Sequence, residues 1–293
     1  MERSILKKLQ TANKLCKAVG DRIYIAKAAD DAAQYENYPQ IILTCERIAD
    51  AKHGTAGTLN VEIICTQEQE PEPIERMVRR ALEGVFFKGA EIFLLRWQRS
   101  DVFSEPASER LPLIVGMQVI FDLYEFPLII LPELDALAAL REYVSKWRVM
   151  VLGVHDFGEW FEPTKAKPAL YLSAGKLKMA RQMYTTAFMS AQIRWHVFAP
   201  DVPARVEWLA SLQYELTFLK AIKLPDGSPL RLEGLELDFS ADEIAGQLNS
   251  TWEFALARRF DHTHPINEKI MDVQSLHAEK SMNLRGNHER YVR

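Results

Sequence analysis

The chain has 293 residues, 48% of them hydrophobic and 26% charged, with a formal net charge of −4. That length leaves room for about two globular domains, and so small a charge argues against a general nucleic-acid binder, which carries a basic excess. Three cysteines, Cys16, Cys45 and Cys65, show neither a metal spacing nor an even disulfide count, so buried free thiols in a reducing compartment are expected. The N-terminus lacks the apolar core of a signal peptide. The longest apolar stretch, Phe126 to Leu131 with its flanks, is broken by Pro127 and Pro132 and is far short of a membrane span, so a cytoplasmic place of synthesis is expected.

Residues 2–18 carry Ile5, Leu6, Leu9, Ala12, Leu15 and Cys16 at helical spacing, which predicts one amphipathic helix ended by Gly20. Arg22–Ile25 reads as a short strand. Pro39 opens a strand over Ile41–Thr44, since proline is tolerated at a strand's first residue. Leu59–Cys65 alternates with period two, so one face is core. After the acidic segment Gln67–Pro73, Pro73 suits the first turn of a helix running to about Leu82. Ile92–Trp97 is a strand, residues 99–112 a long polar loop, and Leu113–Tyr124 a strand with Val115, Met117, Val119 and Phe121 on one face. A stiff, proline-bearing linker spans Glu125–Glu133. Beyond it, Leu134–Lys146 is a helix and Trp147–Leu152 a strand. Pro168 opens the strand Leu170–Ser173, and Met189–Phe198 is the next. Pro203 begins a helix ending near Leu219, and the strands Leu230–Phe239 and Trp252–Ala257 follow.

The second half repeats the first at an offset of 129 residues that drifts slowly. Pro39 and its strand match Pro168 and its strand. Leu59, Val61, Ile63 and Cys65 fall opposite Met189, Ala191, Ile193 and Trp195. Glu72-Pro73 falls opposite Val202-Pro203, and Val119 and Phe121 opposite Trp252 and Phe254. Self-similarity at so long a period implies two copies of one domain. The expected fold is α+β: two similar domains, 1–127 and 134–260, each a mostly antiparallel sheet packed against two helices, followed by an extended C-terminal arm, 261–293. The arm thins out in large apolar residues and holds four of the seven histidines. It is either a tail without a core or an arm that orders on a neighbouring subunit.

Chemistry-bearing motifs are sparse. No glycine-rich phosphate loop and no G-x-S-x-G elbow occurs. Asp261, His262 and His264 supply at most part of a metal-ligand set. His155-Asp156 resembles a metal-dependent phosphohydrolase pair but lacks the further spaced ligands. His53 sits in a Lys-His-Gly turn, and Glu68, Glu70 and Glu72 lie between prolines without an EF-hand glycine. Trp195, Trp208, Trp252 and Phe254 read as core aromatics. We therefore expect no catalytic, cofactor-binding or metal-ligating residue and no cofactor.

The opening of the chain, an amphipathic helix, a short strand, and Tyr38-Pro39 leading into an apolar strand, resembles phage tail-terminator proteins. The alternating strand Leu59–Cys65, the proline-initiated helix after an acidic loop and the closing strand Val115–Asp122 are similar too. The likeness covers roughly residues 1–127 and more faintly 134–260. Members of that family are usually single domains about half this long, so this chain would be a tandem duplication. The resemblance implies a non-enzymatic virion protein at the neck, assembled in the host cytoplasm. It implies a homohexameric ring that caps the tail tube, contacts the tube protein and also sheath or head–tail connector proteins, and lets DNA through its lumen without specific nucleic-acid or membrane binding. The long polar loops Lys52–Thr58 and Gln98–Leu111 would contact the tube or neighbouring subunits. Another tail role (sheath-associated, tail-completion or baseplate), a small hydrolase, or a two-domain cytoplasmic adaptor are the alternatives.

Overall fold

A computed structural model describes residues 1–26, 38–47, 55–106, 113–128 and 136–257. The loop 48–54, the tip 107–112, most of the linker and the arm 261–293 lie outside the described residues. The fold is α+β, with five helices and thirteen strands in two mixed sheets among the described residues.

The first half begins with two helices rather than one: α1, Glu2–Thr11, and α2, Asn13–Val19. Ala12 between them is extended, at φ −77° and ψ 90°. The Thr11 hydroxyl donates to the Lys8 carbonyl at 2.8 Å, and the Cys16 thiol to the Gln10 carbonyl at 2.9 Å. These local bonds occupy carbonyls of the last turn, which is how Ser, Thr and their like end helices. Apolar periodicity does not register such a break, because Ile5, Leu9, Leu15 and Val19 still point into one core.

There follow β1 (Ile23–Ile25), β2 (Gln40–Arg47), β3 (Thr55–Thr66), α3 (Pro71–Leu82), β4 (Phe86–Lys88), β5 (Ile92–Glu105) and β6 (Ile114–Phe126). Helix α3 starts two residues before the predicted Pro73, with Pro71 in its first turn, where a missing N–H costs nothing. The predicted loop 99–112 is corrected: β5 continues to Glu105 and pairs with β6 down to Glu105↔Ile114. Its polar composition reflects exposure rather than irregular backbone. Gly116 explains one close approach there. A side chain at that position would strike the ring of Phe103, its cross-strand partner, at 2.2 Å.

The second half contains α4 (Ala136–Ser145), β7 (Met150–Val151), β8 (Trp160–Phe161), β9 (Ala169–Gln182), β10 (Thr186–Phe198), α5 (Val202–Thr217), β11 (Ala221–Lys223), β12 (Pro229–Leu237) and β13 (Leu248–Ala257). Strands β9 and β12 enter near their expected starts, but β9 has 14 residues where the sequence predicts Leu170–Ser173, because its later residues are exposed and carry no apolar run.

The two sheets share a strand order. The first sheet runs β1-β2-β3-β6-β5-β4, with β8 added beside β4; the second runs β7-β9-β10-β13-β12-β11. Lettered in chain order within each half, with β8 left aside, both sheets read a-b-c-f-e-d. In both, strand a lies parallel to b: Ile23↔Ile41 and Val151↔Leu170 are equivalent pairs. In both, one helix separates c from d. In both, strand e carries a bulge against f, between Trp97 and Arg99 and between Leu232 and Gly234. The matched residues share burial. Leu43 and Leu172 are fully buried, as are Val119 and Trp252, and Ile63 and Ile193 are at most 1% exposed. Strands a and d are three residues or fewer, too short for period two to show, and so β4 and β11 escape sequence reading.

The chain divides into a large unit, Met1–Lys178 with Ser190–Phe254, and a small one that includes Met179–Met189. Both helix layers and most of both sheets belong to the large unit. In the small unit the Met183 amide donates to the Thr186 carbonyl at 2.7 Å, closing the β9–β10 turn, and the Arg181 guanidinium lies 3.8 Å from the Phe188 ring centroid.

Candidate assembly surfaces

Within the large unit the two repeats are joined by a shared aromatic core. Phe86, Leu94 and Phe126 of the first meet Met150, Tyr171 and Phe198 of the second. Phe126 stacks edge-on to Tyr171 at 5.0 Å and to Phe198 at 5.4 Å, and Phe86 meets Phe198 at 5.0 Å. Such pairs contribute about 0.5–1.5 kcal/mol each beyond the area they bury. Strand β8 pairs with β4, so a strand of the second half closes the first sheet.

A polar cluster lies at the same junction. Glu243, half-buried in the loop before β13, binds Arg96 of β5 and stands 3.7 Å from Arg205 of α5. Burial pushes its carboxyl up, and the two guanidiniums pull it back. The carbonyl of Glu243 accepts from His196 Nδ1 at 3.2 Å, which leaves Nε2 to accept from the Ser173 hydroxyl at 3.0 Å. Burial pushes the His196 imidazole down to about 4. A serine hydrogen-bonded to histidine is the arrangement of an activated nucleophile. Here the imidazole is only 7% exposed and a weak base near neutral pH, so its chemistry is that of a fixed neutral bridge. Sequence reasoning missed both clusters. Their members are far apart in the chain, and only the sheet brings them together.

The residues weighed from sequence fall as follows. His155 Nδ1 accepts the Val151 amide at 3.1 Å in the turn after β7, while the Asp156 carboxylate binds Lys88 at 2.7 Å, so the two serve different partners. Glu68, Glu70 and Glu72 are exposed ahead of and within the first turn of α3. His53, Asp261, His262 and His264 lie outside the described residues. Among the described residues no three His, Cys, Asp or Glu side chains gather as a metal site. Trp195 and Trp252 are fully buried, and both donate to Ser250 Oγ at 2.7 Å. Phe254 is buried as well. Trp208 differs: half-buried on α5, it donates to the Lys165 carbonyl at 2.8 Å and lines a groove with Trp147 and Leu212. Of the thiols, Cys65 alone is buried, and burial pushes it up to about 11.

What distinguishes the molecule is its exposed apolar surface. Of twelve large hydrophobic residues exposed among the described residues, ten follow residue 134; only Val102 and Leu128 precede it. Four of this set, Val202, Val206, Tyr214 and Phe218, with Ala210 between them, form a stripe along α5 and its C-cap residue, four apart and all exposed. Tyr214 is 65% and Phe218 70% exposed, and their rings meet at 5.0 Å. At the equivalent positions of α3 stand Glu72, Arg76 and Arg80, opposite Val202, Val206 and Ala210. Contiguous apolar surface of this kind marks an interaction face. No protein-family model matches this chain, and no curated protein is significantly similar to it.

Proposed function

We propose that this protein is a structural component of a phage tail or a related contractile particle: a ring of six copies at the upper end of the tail tube, stopping tube growth and presenting a surface to the neck. The observation that carries it is the asymmetry between the repeats. One topology occurs twice, yet one exposed helix face is charged and the other apolar. A growing tube offers the same interface on every ring, so a cap must satisfy that interface on one side and offer a different one on the other. Two copies of one scaffold with unlike surfaces suit that task. In this reading the α5 stripe seats an axial neighbour, the tube protein or a connector component, and the protein is part of the virion after assembly in the host cytoplasm. No bond-making or bond-breaking step is assigned to it.

Light scattering combined with electron microscopy of the purified chain tests the proposal. The expected result is a closed ring of six copies with a central opening. A chain that remains a monomer or a simple dimer at its highest soluble concentration contradicts it.

A further inference from the structure

Among the described residues each repeat leaves two strand edges half covered. Strand a pairs with only the first residues of b, and strand d with only the first residues of e. In the second repeat β7 ends its ladder at Leu170, and Arg141 Nη2 donates to the Leu172 carbonyl at 3.1 Å. From Ser173 to Lys178 the outer edge of β9 has no strand beside it among the described residues. In the first repeat β4 pairs with β5 only at Ile92–Leu94, and the bridge Glu83↔Leu95 follows. From Arg99 to Glu105 the outer edge of β5 has no strand beside it among the described residues either. An edge of unpaired N–H and C=O groups is a template for another strand unless something protects it.

These two edges carry opposite charge. From Pro163 to Pro200 the chain has six Lys and Arg residues and no Asp or Glu, although its net charge is −4. On β9, Lys176 and Lys178 share one exposed face, and Leu177, 54% exposed, lies on the other. On β5, Asp101 and Glu105 share one exposed face, and Val102, 66% exposed, lies on the other. Arg99 Nε holds one oxygen of Asp101 at 2.8 Å on the same strand. When Leu177 is set opposite Val102 in an antiparallel register, Lys178 falls opposite Asp101. Lys176 then lies diagonal to both Asp101 and Glu105. Directly opposed and diagonal residues are the pairs that interact across a ladder. Leu177 meets Val102 on one face; on the other Lys178 meets Asp101, and Lys176, directly opposite Phe103, has Asp101 and Glu105 as its diagonal partners.

We infer that the outer edge of β9 in one copy adds to the outer edge of β5 in the next, joining the second repeat of each subunit to the first repeat of its neighbour. The contact is heterologous, head to tail, and such a contact forms a ring when the rotation between copies closes. The inference rests on the ring reading and adds the lateral joint. Duplex DNA is the competing occupant of a basic strand; the exposed Leu177 and the matching acidic edge favour the protein.

Charge exchange tests the joint. The double variants Lys176→Glu/Lys178→Glu and Asp101→Lys/Glu105→Lys change exposed side chains, so both should fold, as circular dichroism checks. Each alone should weaken self-association by roughly tenfold or more, since like charges then face each other. The two double changes combined in one chain should restore it. Backbone amides of 173–178 should gain hydrogen-exchange protection on assembly. A six-copy ring in wild type and in all variants overturns this joint while leaving the ring reading standing. Loss in each double variant without recovery in the combination also overturns it. A wild type that stays monomeric overturns both. A monomer that binds duplex DNA through Lys176 and Lys178 assigns the edge to nucleic acid instead.

Discussion

The two repeats share their interior and differ at their surface. Strand order, the parallel a–b pair and the buried positions agree between them, and strand e is bulged in both, two residues apart relative to the matched positions of strand f. The outward faces of α3 and α5 do not. Polar against apolar at equivalent helix positions is a difference that folding does not require, because those side chains touch little of their own chain. Shared interiors report the demands of one scaffold; unlike exteriors report what each copy meets outside itself. The interiors also differ in one telling way. Trp195 and Trp252 converge on a serine in the second core, where the first has Cys65 and Val119, so equal topology is reached with different volumes.

The largest expected effect tests whether the interiors are equivalent. Phe121 is fully buried on β6, and Phe254, its counterpart on β13, is 6% exposed. Phe121→Ala and Phe254→Ala should each cost about 3–5 kcal/mol in urea melts, as for other buried aromatics. Matching losses sharpen the equivalence. A loss under about 1 kcal/mol at either site breaks it.

Much of the scaffold was legible because it follows from patterns that short windows contain. Proline at positions 39 and 168 marks the start of strand b, and alternation around Val61 and Val119 marks strands c and f. What stayed hidden depends on partners far off in sequence. Residues 99–105 read as a loop because Arg99, Ser100, Asp101, Ser104 and Glu105 are polar, yet β6 holds them as an exposed ladder. Three-residue strands lack a period. The meeting of Arg96, Glu243 and Arg205, and of Ser173 with His196, has no local signature, since each needs both repeats or both sides of a sheet in place. The exposed surfaces likewise have no local signature, because exposure depends on the whole fold.

A smaller effect separates the repeats by pH. His196 occupies the position that Thr66 holds in the first repeat. Its folded-state value, about 4, lies below the ordinary 6.5, so its contribution to stability is complete above 6.5 and is lost as pH falls toward 4. That interval corresponds to roughly 3 kcal/mol. Glu243 acts in the opposite sense, because burial raises its carboxyl and protonation relieves it. Comparison with His196→Asn isolates the histidine: the variant is less stable at neutral pH and loses less on acidification. Identical pH profiles for the two proteins would show that the imidazole is not the buried neutral bridge described above.

The smallest effect on stability concerns the surface that differs most. Val206 and Tyr214 are exposed on α5, at 37% and 65%, and Arg76 is the α3 counterpart of Val206. Val206→Glu/Tyr214→Ser and Arg76→Glu should each shift the urea midpoint by an amount equivalent to less than about 0.5 kcal/mol, as exposed substitutions do. Ring mass should also be unchanged, because the lateral joint is assigned to β9 and β5. Only the α5 variant should lose attachment to the tail, seen by electron microscopy as overlong tubes or tails without heads. An apolar stripe kept in water has no folding purpose, whereas burial against a neighbour recovers about 25 cal/mol for each Å² covered. Charge placed in the stripe removes that gain and adds the cost of burying an unpaired carboxylate, while charge exchanged on α3 does neither. Equal attachment by both variants would return the two helix faces to equivalence and leave the apolar one without a partner.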